Sequence, residues 1–212
     1  MIEVSANKLI GALVYRTMVA LNANEKFKEN LKGYEFAGTC FIGDTLNLWH
    51  YPGTPNEISN TLLSVDQIKN GTYKKFPSIL NFQTIKQTRS KMSRIINYNL
   101  AIVGRVDNAN NWTTQDREDQ LFDKLLRPIY NEFINQILKC GWVDVERPIP
   151  THTYYEVFTT GDNAGQLLKR YGNHIDAIEL HNLSLSVKHN LCQNVISEIE
   201  QDDIKGRLIM TK

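Results

Sequence analysis

The 212-residue chain, with 42% hydrophobic residues, is long enough to bury a core and suits one domain, or one domain with extensions. Its 24 basic and 23 acidic residues nearly cancel, so no global field indicates a nucleic-acid binder or a membrane-surface protein. Three widely spaced cysteines, Cys40, Cys140 and Cys192, form no CxxC pair, which argues against a disulfide framework or a zinc site and favours a reducing compartment.

The N-terminal segment predicts a first helix that is capped by Ser5 and buries one face. Lys8 and Arg16 interrupt its apolar run and no basic start precedes it, which argues against a signal peptide or a membrane span. We therefore expect a protein made in the cytoplasm, with no membrane partner. A second, shorter helix is predicted over 24–31, with Gly33 in a left-handed conformation beyond it.

The next region predicts a tight hairpin, because the strand-like segments 34–42 and 45–51 flank the turn Gly43-Asp44. Pro52 and Pro55 lack the donor that a strand ladder needs, so the strand should stop there. We expect 52–75 to be an insertion loop containing some helix.

The stretch FPSILNFQTIKQTRSKMSRIINYNLAIVGRV predicts two paired strands, 76–83 and 95–106, joined by a projecting hairpin loop, 84–94. The loop contains four cations and no acidic residue: Lys86, Arg89, Lys91 and Arg94. A solvated tip, contact with a phosphate backbone and docking on an acidic neighbour all fit this composition. The sequence leaves the three alternatives open.

The longest helix is predicted over 115–139, where apolar residues recur at helical spacing. Thr113 and Asp116 have the spacing of a capping box at its start, and Pro128 predicts a bend inside it. A strand rich in aromatic and β-branched residues is predicted over 151–160, and a helical turn over 167–171. Tyr154, Tyr155 and Phe158 in this region fit core packing better than base stacking, because no basic residues are interleaved with them.

The last strand is predicted over 175–189, where the apolar alternation slips phase at His181 and Asn182 and so indicates a β-bulge. Strands that follow one another without intervening helices favour an α+β fold. We expect an antiparallel sheet packed by the N-terminal helix and the long central helix. Residues 1–192 would form a single domain, and 193–212 a C-terminal arm.

The sequence contains none of the spacing patterns GxSxG, HExxH, GxxxxGK or GxGxxG, and no EF-hand loop. Its five histidines are scattered, so no catalytic residue, cofactor or metal ligand is assigned. Two alternatives to a structural role remain open. One is a small intracellular enzyme with His174, His181 and Glu179 in a cleft, and the other is a nucleic-acid-binding module that uses the basic loop.

The order of elements resembles a family, the tail-terminator, tail-completion and neck proteins of tailed bacteriophages. The resemblance is carried by the amphipathic N-terminal helix, the strand entry FPSI, the paired strand IINYNLAIVGRV, the long helix and the terminal strand IDAIELHNLSLSVKHNLC. It implies a non-enzymatic virion protein that forms a homo-oligomeric ring between head and tail. Its implied partners are the portal, adjoining neck or tail-tube proteins and the DNA passing through the lumen.

The resemblance also implies two contact regions. Lys86, Arg89, Lys91 and Arg94 would reach a neighbouring subunit, an adjoining ring or DNA. The arm, with Ile204, Leu208 and Ile209, would lie on another subunit. Such extensions become ordered when a partner supplies burial.

Overall fold

The structure is a computed structural model that describes residues 4–68, 75–89, 93–106, 112–145, 151–156, 158, 174–188, 191 and 193–210. Its helices are α1 (Ala6–Asn22), α2 (Glu25–Lys32), α3 (Ala37–Cys40), α4 (Pro55–Asp66), α5 (Thr114–Asp116), a π-helix (Arg117–Leu126), α6 (Arg127–Lys139) and α7 (Gln193–Met210). Its strands are β1 (Phe41–Ile42), β2 (Thr45–Leu46), β3 (Trp49–Gly53), β4 (Ser78–Arg89), β5 (Ser93–Val106), β6 (Val143–Val145), β7 (Thr151–Tyr155) and β8 (His174–Lys188). The predicted turn over 167–171 lies outside the described residues.

The fold is α+β, as predicted, and its main sheet has the strand order β3-β4-β5-β8-β6, with β7 also paired to β8. The sheet is mixed rather than antiparallel, because β3 runs parallel to β4, with Trp49 opposite Ser78 and Gly53 opposite Phe82. A parallel pair needs a crossover, and α4 lies in the segment that supplies it. The helix expected within 52–75 is present as α4, and this segment, expected as an insertion loop, also contains the end of β3.

The predicted hairpin over 34–51 is wrong beyond its turn. Residues Ala37–Cys40 are helical, and β1 and β2 are only two residues long, with Gly43 at φ +61° in the turn between them. Asn22 binds the edge of β2 that faces away from β1: its Nδ2 donates to the Leu46 carbonyl at 3.0 Å, and its Oδ1 accepts from the Leu46 amide at 2.8 Å. A side chain of α1 thus satisfies backbone groups that would otherwise need another strand.

Ser5 lies at the N-cap position of α1, as predicted, but its side chain makes no capping hydrogen bond; the other two predicted helix starts have side-chain caps. Asn24 caps α2 by accepting from the Phe27 amide at 3.1 Å, and Thr113 forms the predicted capping box with Asp116. Gly33 has φ −80°, so the predicted left-handed conformation is wrong. The long helix changes from π to α spacing at Arg127, directly before Pro128, whose missing N–H cannot bond to the Lys124 carbonyl.

The predicted β-bulge is confirmed at His181 and Asn182. Tyr98 pairs with Leu183 and Leu100 pairs with Leu180, so Asn99 faces two residues of β8. Asn182 has φ 53°, and its amide donates to the Asn99 Oδ1 at 3.0 Å. The extra residue keeps the apolar residues of β8 on the buried face on both sides of the slip.

Helices cover both faces of the sheet. The larger core joins α1, α2, the π-helix and α6 to one face, and its fully buried residues include Leu13, Leu100 and Phe133. The smaller core on the other face joins Ile58 and Leu62 of α4 to residues such as Leu80. In the described part of the chain no helix is long and apolar enough to cross a membrane.

The predicted C-terminal arm is wrong for Gln193–Met210, because this segment is α7 and packs along α1. Ile199 is fully buried in the larger core. Arg16 pairs with Glu198 and with Asp202, and Lys8 lies 2.8 Å from Glu200. The domain therefore continues beyond residue 192, and α1 is held by α7.

Candidate functional site

The basic segment 84–94 is mostly strand. Lys86 pairs with Asn97 and Arg89 with Arg94, so β4 and β5 continue almost to the tip of the hairpin. The sequence prediction ended β4 at 83 because the polar residues beyond it give no sign of burial. Lys91 lies outside the described residues.

The described cations of this hairpin do not form one cluster. Lys86 and Arg89 are exposed, but Arg94 is only 8% exposed and its Nη2 donates to the Val4 carbonyl at 2.6 Å. The expectation that Arg94 projects toward a partner is therefore wrong. Arg94 ties the hairpin to the start of the chain, since its guanidinium reaches a backbone acceptor that composition cannot reveal.

The outer edge of β4 is partly uncovered. β3 pairs only with the segment from Ser78 to Phe82, and no described strand pairs with the outer edge beyond Phe82. Side chains in this distal half are mostly exposed, and the ladder to β5 is irregular between Phe82 and Lys86. An open strand edge presents backbone donors and acceptors to which another chain can pair.

The strand β7 lies on the opposite side of the sheet, paired to β8. Its side chains Tyr154 and Tyr155 are 44% and 36% exposed, and only Phe158 of the predicted aromatic cluster is buried. Two neighbours contact the Tyr154 ring: the Arg127 guanidinium lies 5.1 Å from its centre, and the centre of the Phe122 ring lies 5.4 Å from its centre. These contacts hold an exposed aromatic surface in place.

The residues predicted for the arm are only partly described. Ile204 is 53% exposed on the outer side of α7. Leu208 and Ile209 belong to the same helix, but their side chains lie outside the described residues.

A cavity of about 400 Å³ lies where α1, β3, α4 and α7 meet. Gly11 allows the close approach of α7, because a Cβ on Gly11 would overlap the Asp203 Oδ1; a Cβ on Gly206 would make only ordinary contacts, the nearest at 3.5 Å. The side chains around the cavity are mainly apolar, with polar groups at one end. Its lining is Gly11, Val14, Tyr15, Met18, Leu48, His50, Tyr51, Pro52, Ile58, Thr61, Asp203, Gly206 and Arg207.

The polar end of the cavity contains His50, Asp203 and Arg207. Asp203 is 3% exposed; its Oδ2 lies 3.0 Å from the Arg207 Nε, and its Oδ1 has no hydrogen-bond partner among the described residues. The His50 Nε2 is also buried without such a partner in the described part of the chain. A Cβ on Gly11 would overlap the Asp203 Oδ1 and would lie 3.3 Å from the His50 Nδ1. The side chains of Asp203 and His50 are therefore close neighbours.

Burial sets the charge states of this pair. Burial, with a further contribution from the Arg207 charge, lowers the pKa of His50 from 6.5 to about 3, so its ring is neutral at pH 7. Burial raises the pKa of Asp203, against the opposing effects of Arg207 and Lys8. This site could not be predicted from the sequence, because His50 lies far along the chain from Asp203 and Arg207 and the three residues match no motif.

The residues of the enzyme alternative do not converge. The His181 Nε2 lies 3.8 Å from the Glu179 Oε2, whereas His174 pairs with Val106 at the other end of β8. Near His174, Arg117 binds Asp176 through Nη1, with distances of 2.6 and 2.8 Å to the two carboxylate oxygens. Within the described residues, no group of three or more His, Cys, Asp or Glu residues is placed to hold a metal ion.

Comparisons of the chain with protein-family models, with curated proteins and with solved structures find no match.

Proposed function

We propose that the protein is a non-enzymatic structural subunit of a tailed bacteriophage virion. It forms a ring at the neck or at the tail terminus and joins the head or portal to the tail. The α+β fold and the order of its elements support this role, since they follow the pattern on which the resemblance rests. The partners under this proposal are further copies of the chain, the portal, adjoining neck or tail-tube proteins and DNA passing through the lumen.

The observation that carries the proposal is the open distal edge of β4. A long strand that continues past its neighbour leaves backbone groups facing outward, and soluble proteins rarely leave such an edge without a partner or a protective device. The exposed Lys86 is one such device against unselective pairing. It still permits a partner whose surface is complementary to a lysine.

A ring requires two different surfaces on each subunit, because a head-to-tail contact joins one patch to another and closes by rotation. The open part of β4 and the exposed strand β7 lie toward opposite sides of the sheet. Pairing of the β4 edge of one copy with the β7 side of the next would repeat around a circle. Lys86 and Arg89 would then face the neighbouring subunit, an adjoining ring or the DNA.

The test compares the wild type with two variants of Thr84, an exposed residue that lies between the paired positions Phe82 and Lys86. Thr84→Pro removes a backbone donor without removing a registered pair of the β4–β5 ladder, and Thr84→Ala keeps the donor. We expect mass photometry to show a defined oligomer for the wild type and for Thr84→Ala, and a shift toward the monomer for Thr84→Pro.

Two results would contradict the proposal. One is a wild-type chain that stays monomeric and is also absent from purified virions of its source phage. The other is a gene neighbourhood of metabolic genes in place of portal or tail-tube genes.

A further inference from the structure

The cavity under α7 contains unused hydrogen-bonding capacity. The Asp203 Oδ1 and the His50 Nε2 are both buried, and neither has a partner among the described residues. A buried polar atom left without a partner is unfavourable, because it has lost its hydrogen bond to water. A molecule that supplies the missing partner therefore gains binding energy at this place.

The size and lining of the cavity define the rest of such a molecule. Its volume of about 400 Å³ is in the range of small-molecule sites, which is roughly 300–1,000 Å³. The rest of the lining is mainly apolar, with Val14, Met18, Leu48 and Ile58, and it also includes Tyr15, Tyr51 and Thr61. A compact, largely apolar body fits these walls, with one polar group directed at Asp203.

The charges of Asp203 and Arg207 favour a ligand that is itself neutral. The Asp203 carboxylate is already balanced by Arg207, whose Nε lies 3.0 Å away. An added anion would meet the buried Asp203 carboxylate in surroundings that screen charge poorly, and an added cation would compete for that carboxylate with the Arg207 guanidinium, whose side chain is 60% exposed. His50 is neutral and carries no charge to offset either.

We propose that this cavity binds a neutral, compact aromatic molecule whose N–H or O–H group donates a hydrogen bond to the Asp203 Oδ1, with the His50 Nε2 as a second polar contact. The site is independent of ring formation and of the strand edges. Because the ligand must donate a hydrogen bond to Asp203, the site differs from a cavity that binds any apolar compound.

Indole and benzofuran test the proposal, because they have nearly the same shape and differ in that only indole carries an N–H donor. Titration of the full-length chain, followed by heteronuclear NMR, should show indole binding about tenfold more tightly than benzofuran, as expected for one hydrogen bond to a buried carboxylate. The shifts should map to α1, β3 and α7.

Asp203→Asn is the first variant, since its amide can still accept from Arg207 while turning an N–H toward the cavity. It should weaken indole binding about tenfold and leave benzofuran binding unchanged. Asp202→Asn is the matched control: it changes the adjacent carboxylate of the same helix, which binds Arg16 and does not line the cavity. This control should retain the preference for indole.

Equal binding of the two compounds to the wild type would overturn the role of Asp203 as the selecting acceptor. Binding of neither compound, with ordered water alone in a crystal structure, would overturn the site itself. Both comparisons use the wild type, so they decide the proposal even if Asp203→Asn fails to fold.

Discussion

At the scale of single residues, Arg94 shows how local geometry decides the role of a charge. It belongs to the same basic segment as Lys86, yet its guanidinium is buried and donates to the Val4 carbonyl, whereas Lys86 is exposed. The Arg94 guanidinium therefore holds the backbone at Val4 in place and does not face a partner.

We predict that Arg94→Met lowers the free energy of unfolding by about 2 kcal/mol, because a buried carbonyl loses its charged donor. Lys86→Met, the matched control on the neighbouring strand, should change stability by less than about 0.5 kcal/mol. Urea denaturation followed by circular dichroism measures both. A smaller effect for Arg94→Met than for Lys86→Met would contradict the buried position of Arg94.

His50 gives a prediction about pH. Its pKa in the folded chain, about 3, lies below the ordinary value of 6.5, so between these values the unfolded chain binds the additional proton. Stability associated with His50 is therefore present above pH 6.5 and is lost as the pH falls. From pH 6.5 to pH 5 the loss is about 2 kcal/mol, at about 1.4 kcal/mol per pH unit.

The measurement is urea unfolding at both pH values for the wild type and for His50→Leu, which has a similar volume and no titrating group. The variant should lack the part of the acid-induced loss that His50 causes. Asp203 and Arg207 face His50 in both proteins. The pKa of Asp203 is raised, so its contribution to the free energy of unfolding is lost as the pH rises, which is opposite to the effect of His50. Identical pH dependence in the two proteins would show that His50 is not buried in its neutral form.

At the scale of elements, α7 distinguishes a helix that belongs to the core from an extension that waits for a partner. Two of its isoleucines lie in contrasting places, since Ile199 is fully buried and Ile204 is 53% exposed. Its buried face also contains Asp202 and Asp203, which interrupt the apolar stripe that would have predicted a packed helix.

We predict that Ile199→Ala lowers the free energy of unfolding by about 2–4 kcal/mol, because it removes buried methyl and methylene groups from the core. Ile204→Ala on the same helix should change it by less than about 0.5 kcal/mol. Chemical denaturation compares the pair directly. Effects of equal size would argue that α7 does not pack on α1 in solution.

At the scale of the whole molecule, α7 completes the domain. We predict that a chain ended at residue 192 does not unfold cooperatively, because the face of α1 that α7 covers becomes exposed. A synthetic peptide of residues 193–212, added in trans, should restore a cooperative transition in calorimetry. A truncated chain that melts at the wild-type temperature would instead restore the hypothesis of a free arm.

The parts of the fold that were predictable are those with a local signal. Helical periodicity located α1, the capping pair Thr113 and Asp116 marked the start of the long helix, and a phase slip located the bulge at His181. The parallel pairing of β3 with β4 was not predictable, since partner choice depends on residues distant in the chain. The cavity was missed for the same reason, because His50 and Asp203 become neighbours only after α7 packs on α1.

The packing of α7 on α1 has a consequence for biosynthesis. The helix α1 is covered by α7, which is synthesised much later, so the apolar face of α1 stays exposed until α7 has emerged from the ribosome. Folding of the domain is completed only after that point, and any product that terminates before α7 carries an exposed apolar surface that chaperones and proteases recognise.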